Sequence, residues 1–435
     1  MIDALEKSLD AFASADPRVN PPWLKSIREA ARARARQTGF PNTRQEEWRF
    51  TNVAPLLELP LHAAAQNGRQ VSARDIEPFR FAPDWPCLVF VDGCFRGDLS
   101  SLPPRESGVE ADSLRTRLNG NAAELQNDLA RHASYDANFF TALNTAFFQD
   151  GAYVSAADDA KPEHPVHLLF VAASDKPGAT AQTRNLILAG RCSELKVVET
   201  YASLTAAPHV TNAVTELVLG PGARLEHCRL QNQNQASFHV ATVQAVQEKD
   251  SHLLSHSIAT GARVARNQIQ TLLNAPGAVA VLNGLYLGRD DQLIDHHTVV
   301  DHAMPNCESH EFYNGVLADR AHGVFNGKIF VRRDAQKTNA KQTNRNLVLS
   351  ENAIIDTKPQ LEIFADDVKC THGATVGQLD HEALFYLRSR GISAAGARQM
   401  LIRAFAGGVV ERITMQPVRE RLDQLLAGRF DHAQA

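Results

Sequence analysis

A cysteine and a histidine two residues apart are the side chains of this chain best suited to chemistry: Cys370 and His372, separated by Thr371. They lie in a run with strand character, and because side chains on an extended backbone alternate between faces, both should project to the same side. Thiolate and neutral imidazole are ligands for iron or zinc, and the thiol also suits a transferable sulfur. Two side chains do not fill a coordination sphere, so further ligands must come from elsewhere in the fold or from another chain. The alternative is a buried thiol and a hydrogen-bonded histidine near a strand end.

The richest histidine cluster is the run DHHTVVDH, residues 295–302. On a strand its residues divide between two faces, with Asp295, His297 and Asp301 on one and His296, Thr298 and His302 on the other. Because the cluster mixes faces and has no cysteine nearby in sequence, a polar ladder along a strand is favoured over a metal site.

Two further features suggest other chemistry. Cys228 is an alternative sulfur carrier on a strand face shared with Glu226 and Leu230, although a structural thiol is the favoured interpretation. Asp366 and Asp367 suggest a carbohydrate-cleaving enzyme. Adjacent carboxylates on an extended chain point apart, however, whereas general acid–base catalysis needs a pair that converges on one bond.

Composition excludes several function classes. A net charge of −4 in 435 residues gives no basic footprint for nucleic acid. No segment has the roughly 18 uncharged apolar residues of a membrane span, and the N-terminus has no signal-peptide core, so a cytoplasmic protein without membrane insertion is expected. The six cysteines form no CxxC spacing. The chain also has no phosphate-binding GxxxxGK[ST] loop and no GxSxG nucleophile elbow, so ATP hydrolysis and serine hydrolysis lack a motif here.

Three regions position these side chains. Residues 1–150 are predicted to be helical or mixed, with Asn20 as a cap and Gly39 as a stop of a first helix and a hairpin at Asp92-Gly93. Residues 151–375 are rich in short strands, whose spacing of roughly 20 residues suits one coil of a β-solenoid, although a large sandwich stays open from pattern alone. Residues 376–435 are predicted to be helices that protect one end of the solenoid.

The last helices have clear local signals. Asp380 and Ser393 are predicted N-caps, the pair Gly407-Gly408 is predicted to interrupt the second helix, and Pro417 opens the last one.

Several long motifs resemble the SufB/SufD family of iron–sulfur cluster assembly proteins. They are LEIFADDVKCTHGATVGQLD (residues 361–380), LFYLRSRGI (384–392), NGLYL (283–287), DHHTVVDH (295–302), VFNGKIFV (324–331), NAKQTNRNLVLS (339–350) and, near the start, PNTRQEEWRFTN (41–52). The resemblance covers roughly residues 151–405, and its motifs occur in the same order as in the family. Motifs of this length are highly specific.

The resemblance implies a mainly β fold, a right-handed parallel β-helix flanked by an N-terminal mixed region and a C-terminal helical region. It also implies a non-enzymatic scaffold that pairs with a SufB-like paralogue through the end of the β-helix, while a SufC-like ATPase binds the C-terminal helices. Cys370 and His372 would then be ligands of a transient iron–sulfur cluster, or of iron, shared with the paralogue, and a reduced flavin on the complex is a further expectation. An intracellular β-helix enzyme acting on carbohydrate and a purely architectural solenoid are the alternatives.

Overall fold

The computed structural model describes residues 21–64 and 69–430. Its strands are β1 (His62–Ala63), β2 (Cys87–Val91), β3 (Cys94–Phe95), β4 (Val109–Ser113), β5 (Ala152–Ala156), β6 (Val166–Ala172), β7 (Ala179–Ala189), β8 (Glu194–Ser203), β9 (His209–Leu219), β10 (Arg224–Asn232), β11 (Phe238–Gln247), β12 (His252–Ala259), β13 (Val264–Leu273), β14 (Val279–Gly288), β15 (Leu293–His302), β16 (Glu308–Leu317), β17 (His322–Val331), β18 (Asn339–Val348), β19 (Ile354–Ile363) and β20 (Lys369–Gly377). Its α-helices are α1 (Pro22–Thr38), α2 (Ala73–Ile76), α3 (Leu114–Asn121), α4 (Phe139–Phe147), α5 (His381–Ser389), α6 (Ala394–Val410) and α7 (Gln416–Arg429).

The strands form two ten-stranded sheets that face each other. From β5 onward the odd-numbered strands follow one another in the first sheet and the even-numbered strands in the second, and these neighbours are parallel. Each turn of the chain therefore adds one strand to each sheet, which is a parallel β-solenoid. The predicted mainly β fold with helical flanks is confirmed, and strands β1 to β4 of the N-terminal part also join the two sheets.

One solenoid turn is longer than the predicted spacing of roughly 20 residues. Leu293 pairs in register with His322, 29 residues on, and His322 pairs with Ile354, 32 residues on. The predicted spacing was wrong because consecutive strands lie in opposite sheets. The spacing between consecutive strands therefore corresponds to about one strand and its turn, whereas a full coil contains two strands.

The core lies between the two sheets. Inward positions of both sheets supply a continuous apolar cluster that includes Leu168, Leu217, Ile269, Leu282 and Phe325. Because side chains alternate along each strand, the same strands present a second set of residues to the outer faces, where helices cover them.

The N-terminal part covers the outer face of the first sheet. Ala31 and Ala35 of α1 and Phe140 of α4 pack against Val210 and Val240 of the sheet. The helix α1 ends at Gly39 as predicted, with a positive φ of 70°. The predicted cap Asn20 lies outside the described residues. The Asp92-Gly93 hairpin is confirmed, because β2 and β3 pair in antiparallel fashion around it.

A buried ion pair fastens this layer to the sheet. Arg184 Nε donates to Glu216 Oε2 at 3.0 Å, and both side chains are fully buried. Glu216 also accepts three backbone N–H groups of the 130–133 turn, and Thr145 of α4 accepts from Arg184. The carboxylate and the guanidinium therefore each have several polar partners, which a buried pair requires.

The C-terminal helices cover the outer face of the second sheet rather than an end of the solenoid. Ile402, Ala406 and Val418 of α6 and α7 form one buried cluster with Leu285 and Val316. The expectation that these helices protect the open end was wrong, because their apolar side chains are buried against the apolar outer face of the even-numbered strands. Among the described residues, no helix is long and apolar enough to cross a membrane.

The local signals of these helices are mostly confirmed. Asp380 and Ser393 cap α5 and α6 through their side chains. Gly407-Gly408 does not interrupt α6, which continues to Val410. The helix backbone runs close to β16 at this point, since Asn314 Nδ2 donates to the Phe405 carbonyl at 2.8 Å, and this packing outweighs the low helix propensity of glycine.

Candidate functional site

The last turn leaves one end of the solenoid open. β19 and β20 are the terminal strands of their sheets, so each has an edge without a strand partner among the described residues. Most of their side chains are half-buried or exposed. Exposed apolar side chains at this end include Ile354, Phe364 and Val376. An unpaired strand edge with apolar side chains is a surface on which another chain can pack.

β20 carries Cys370 and His372 on its inner face. Cys370 is in register with Ala340, and His372 is in register with Gln342. Ala340 and Gln342 are each 1% exposed and point into the solenoid. Because residues in register share a face of a parallel sheet, Cys370 and His372 project to the same side, as predicted.

The two side chains differ in environment. Cys370 is half-buried and packs against the apolar cluster that contains Ala340 and Ala365. Burial raises the pKa of the Cys370 thiol. His372 is exposed. The thiol of the isolated chain is therefore protonated at neutral pH, and a bound metal or a partner's cation is needed to make it a thiolate ligand.

Polar side chains continue inward from His372. Gln342 Nε2 donates to Glu311 Oε1 at 3.1 Å, and the Thr298 hydroxyl donates to the other oxygen of the carboxylate. Glu311 is 2% exposed, and its burial raises its pKa to about 7, although both hydrogen bonds oppose this shift. Sequence reasoning missed Glu311 and Gln342. Finding them would have required the register of β16, β18 and β20, which places both residues under His372 and depends on the lengths of the turns.

The cluster at residues 295–302 divides between two sides of the sheet as predicted. On the outer side, Asp295 contacts His297 at 3.1 Å and accepts a hydrogen bond from Arg266, whose guanidinium lies 3.9 Å from the Trp48 ring centroid. Burial alone would raise the pKa of Asp295, but His297 and Arg266 together hold it below its ordinary value. Glu47 lies 3.4 Å from His297. These residues anchor the RQEEW motif to the solenoid.

The inner members of this cluster are buried and neutral. His296 lies between the Tyr286 and Tyr313 rings and its Nε2 is 3.1 Å from the Ser257 hydroxyl. Burial lowers the pKa of His296 to about 3 and that of His302 to about 4. Across the described residues, no three His, Cys, Asp or Glu side chains converge to hold a metal ion.

The remaining candidates lie far from the open end or at its surface. Cys228 is fully buried beneath the C-terminal helices, and burial raises its pKa strongly. Cys87 Sγ lies 3.5 Å from His167 Nδ1, but burial raises the pKa of this thiol to about 11 and lowers that of the imidazole to about 3. Asp366 and Asp367 are exposed in the turn between β19 and β20. None of these groups has the environment of an activated nucleophile or of a converging acid–base pair.

The helix α5 presents apolar side chains to solvent. It buries no residue, and Phe385 and Tyr386 are 73% and 57% exposed. Two neighbouring exposed aromatic side chains on one helix are typical of a contact surface for another protein.

Comparison with known families agrees with this architecture. The family model described as SUF system FeS cluster assembly, SufBD core domain, matches residues 170–405, which is more than half of the chain. The chain belongs to the SufBD family. A second family model, the SufBD protein N-terminal region, matches residues 17–168. The family resemblance seen in the motifs is thus confirmed, and with it a role in iron–sulfur cluster assembly within the Suf system.

Three similar proteins align with nearly the whole of this SufBD chain. It is 33% identical over 401 residues to an iron–sulfur cluster assembly SufBD family protein of Synechocystis, covering 90% of this chain and 87% of the relative. It is 31% identical to the iron–sulfur cluster assembly protein SufD of Escherichia coli, covering 90% of each chain. The chloroplastic protein ABCI7 of Arabidopsis thaliana is 27% identical, over 96% of this chain and 88% of that protein.

Proposed function

We propose that this chain is a non-catalytic scaffold subunit that holds a transient iron–sulfur cluster, or its iron, between its open solenoid end and a SufB-like paralogue. One observation carries the proposal: Cys370 and His372 share the inner face of β20, the last strand of the second sheet, which has no further strand partner among the described residues. Two ligands on an unpaired edge are an incomplete set, which a second chain at the same edge would complete.

A SufC-like ATPase is the proposed second partner, and its proposed contact is the exposed aromatic side of α5. Phe385 and Tyr386 support this, because more than half of each aromatic side chain is exposed to solvent. ATP would then be handled by that subunit, in line with the absence of a phosphate-binding motif here. Reduced flavin on the complex and a cytoplasmic location stay predictions.

Substitution of the two ligands tests the site. We expect Cys370→Ser and His372→Ala each to lower the iron and sulfide recovered with the co-expressed complex, while complex stoichiometry and melting temperature stay nearly unchanged. Cys192→Ser is the matched control, because Cys192 is an exposed cysteine in the turn between β7 and β8. Full iron and sulfide content in both ligand variants would leave an architectural solenoid as the better description.

A charged substitution at the open end tests the proposed association with the paralogue. Val376→Asp should weaken recovery of the paralogue, because burial of an unpaired carboxylate opposes association. Leu102→Asp is the control: Leu102 is 52% exposed and Val376 55%, but Leu102 lies between β3 and β4. Phe385→Asp should instead reduce recovery of the ATPase and spare the paralogue. Equal recovery of both partners in all three variants would contradict the assigned surfaces.

A further inference from the structure

The amide of Gln342 is held in one orientation. Its Nε2 donates to Glu311 Oε1 at 3.1 Å, and Glu311 is fixed in turn by the Thr298 hydroxyl. Across the interior, a Cβ added to Gly327 would overlap the Gln342 amide and the Phe325 ring, so a larger residue at 327 would force the amide out of this position. Both oxygens of Glu311 already accept, one from the Gln342 NH₂ group and one from Thr298, so the carbonyl oxygen of the amide faces away from this carboxyl group.

The carbonyl oxygen of this amide lacks a partner. Gln342 Oε1 is buried and accepts no hydrogen bond within the described chain. Leaving a buried acceptor unsatisfied is costly, so a donor is expected close to it. The next residue outward in the same register is His372, on the adjacent strand of the same sheet. Adjacent strands are about 4.8 Å apart, so His372 is the side chain with an N–H group that stands next to Gln342 on this face of the sheet.

We propose that Glu311 and Gln342 are positioning residues for His372. Gln342 Oε1 accepts a hydrogen bond from one ring nitrogen of His372, and the lone pair of the other ring nitrogen is directed out of the open end. A histidine ligand generally donates its second ring N–H to a protein acceptor, which fixes the tautomer and the ring orientation. The inference rests on the proposed function, since it concerns how His372 meets iron.

The series of contacts from Glu311 through Gln342 to His372 explains why polar groups are buried at this position. An apolar residue at 342 would fill the space beside Gly327 without leaving an unpaired acceptor. The buried carboxylate orients the amide, and the amide transmits that orientation to the exposed imidazole one strand away. Neither Glu311 nor Gln342 touches the iron in this arrangement; both act through His372.

A double-mutant cycle tests the coupling. Wild type, Gln342→Leu, His372→Ala and the double variant are each prepared as the complex with the paralogue and the ATPase, loaded with ferrous iron and sulfide without oxygen, and assayed for retained iron. Gln342→Leu should weaken iron retention about tenfold in the wild-type background, the scale found for partners of histidine ligands. It should have no further effect beside His372→Ala. Gln378→Leu, an exposed glutamine just after β20, is the control.

A second measurement does not depend on iron. In the isolated chain, histidine-selective nitrogen NMR should show the His372 ring N–H exchanging more slowly with water in wild type than in Gln342→Leu. If Gln342→Leu fails to fold, Gln342→Met, which is unbranched like glutamine, takes its place.

The outcomes separate this inference from the proposed function. Equal losses of iron in both backgrounds would mean that Gln342 is only structural, and the inference would be overturned. An effect of His372→Ala with none of Gln342→Leu would mean that His372 contributes to iron retention without the Gln342 hydrogen bond; the inference would be overturned and the proposed function would stand. No effect of His372→Ala would remove His372 from the proposed site, while the exchange rate would still decide whether the hydrogen bond exists.

Discussion

Glu311 gives the sharpest stability prediction, because it is a fully buried acid without an ion-pair partner in the described chain. Its burial raises the pKa to about 7 from an ordinary value of 4.5. An acid whose pKa rises on folding binds its proton more tightly in the folded state. Well below pH 4.5, Glu311 therefore does not change the free energy of unfolding. The free energy of unfolding falls as the pH rises from 4.5 to 7, and above pH 7 the full loss is present.

The magnitude follows from the two pKa values. A difference of 2.5 units, from 4.5 to about 7, corresponds to about 3 kcal/mol of stability lost at pH 8. Glu311→Gln removes the titration and keeps the shape of the side chain. Its carbonyl can still accept from Gln342, and its NH₂ can donate to the Thr298 hydroxyl oxygen. We expect the variant to match wild type near pH 4.5 and to be about 3 kcal/mol more stable at pH 8.

Urea unfolding followed by circular dichroism at a series of pH values measures this difference. Glu308→Gln is the control, since Glu308 is an exposed carboxylate on the same strand. Its difference from wild type should change far less with pH. Parallel stability curves for wild type and Glu311→Gln between pH 4.5 and 8 would refute the reasoning, because they would show that the carboxyl has the same proton affinity in the folded and unfolded states.

Two further predictions concern the frame that carries the site. Glu216→Ala should destabilise the chain by roughly 3–5 kcal/mol in chemical unfolding, because it leaves the fully buried Arg184 without its carboxylate; a loss below 1 kcal/mol would show that water reaches this pair. Gly284→Ala should cost about 1–3 kcal/mol, because its Cβ would lie 2.0 Å from the Tyr313 ring, whereas the same change at Gly373, with nothing within 4 Å, should leave the melting temperature nearly unchanged.

Several features of the site are local in sequence and could be predicted. Period-two alternation put Cys370 and His372 on one face, because their strand is extended in any fold that keeps it a strand. Side-chain caps at Asp380 and Ser393 and the Asp92-Gly93 turn depend only on a few neighbouring residues, and all three are present. The motifs also identified the family, since their length makes a chance match improbable.

Tertiary structure decided what lies beside these residues. Gln342 lies beneath His372, and Glu311 beneath Gln342, only because turns of particular length bring residues about 30 positions apart into register. The C-terminal helices lie on the outer face of the second sheet, and α6 passes through Gly407-Gly408, because burial of that apolar face outweighs local helix propensity. Within the described part of the chain, β19 and β20 each keep one edge without a strand partner. Sequence therefore determined which side chains have the chemistry proposed for the site. The register between distant turns determined that they stand at an open end, above the buried polar residues Gln342 and Glu311.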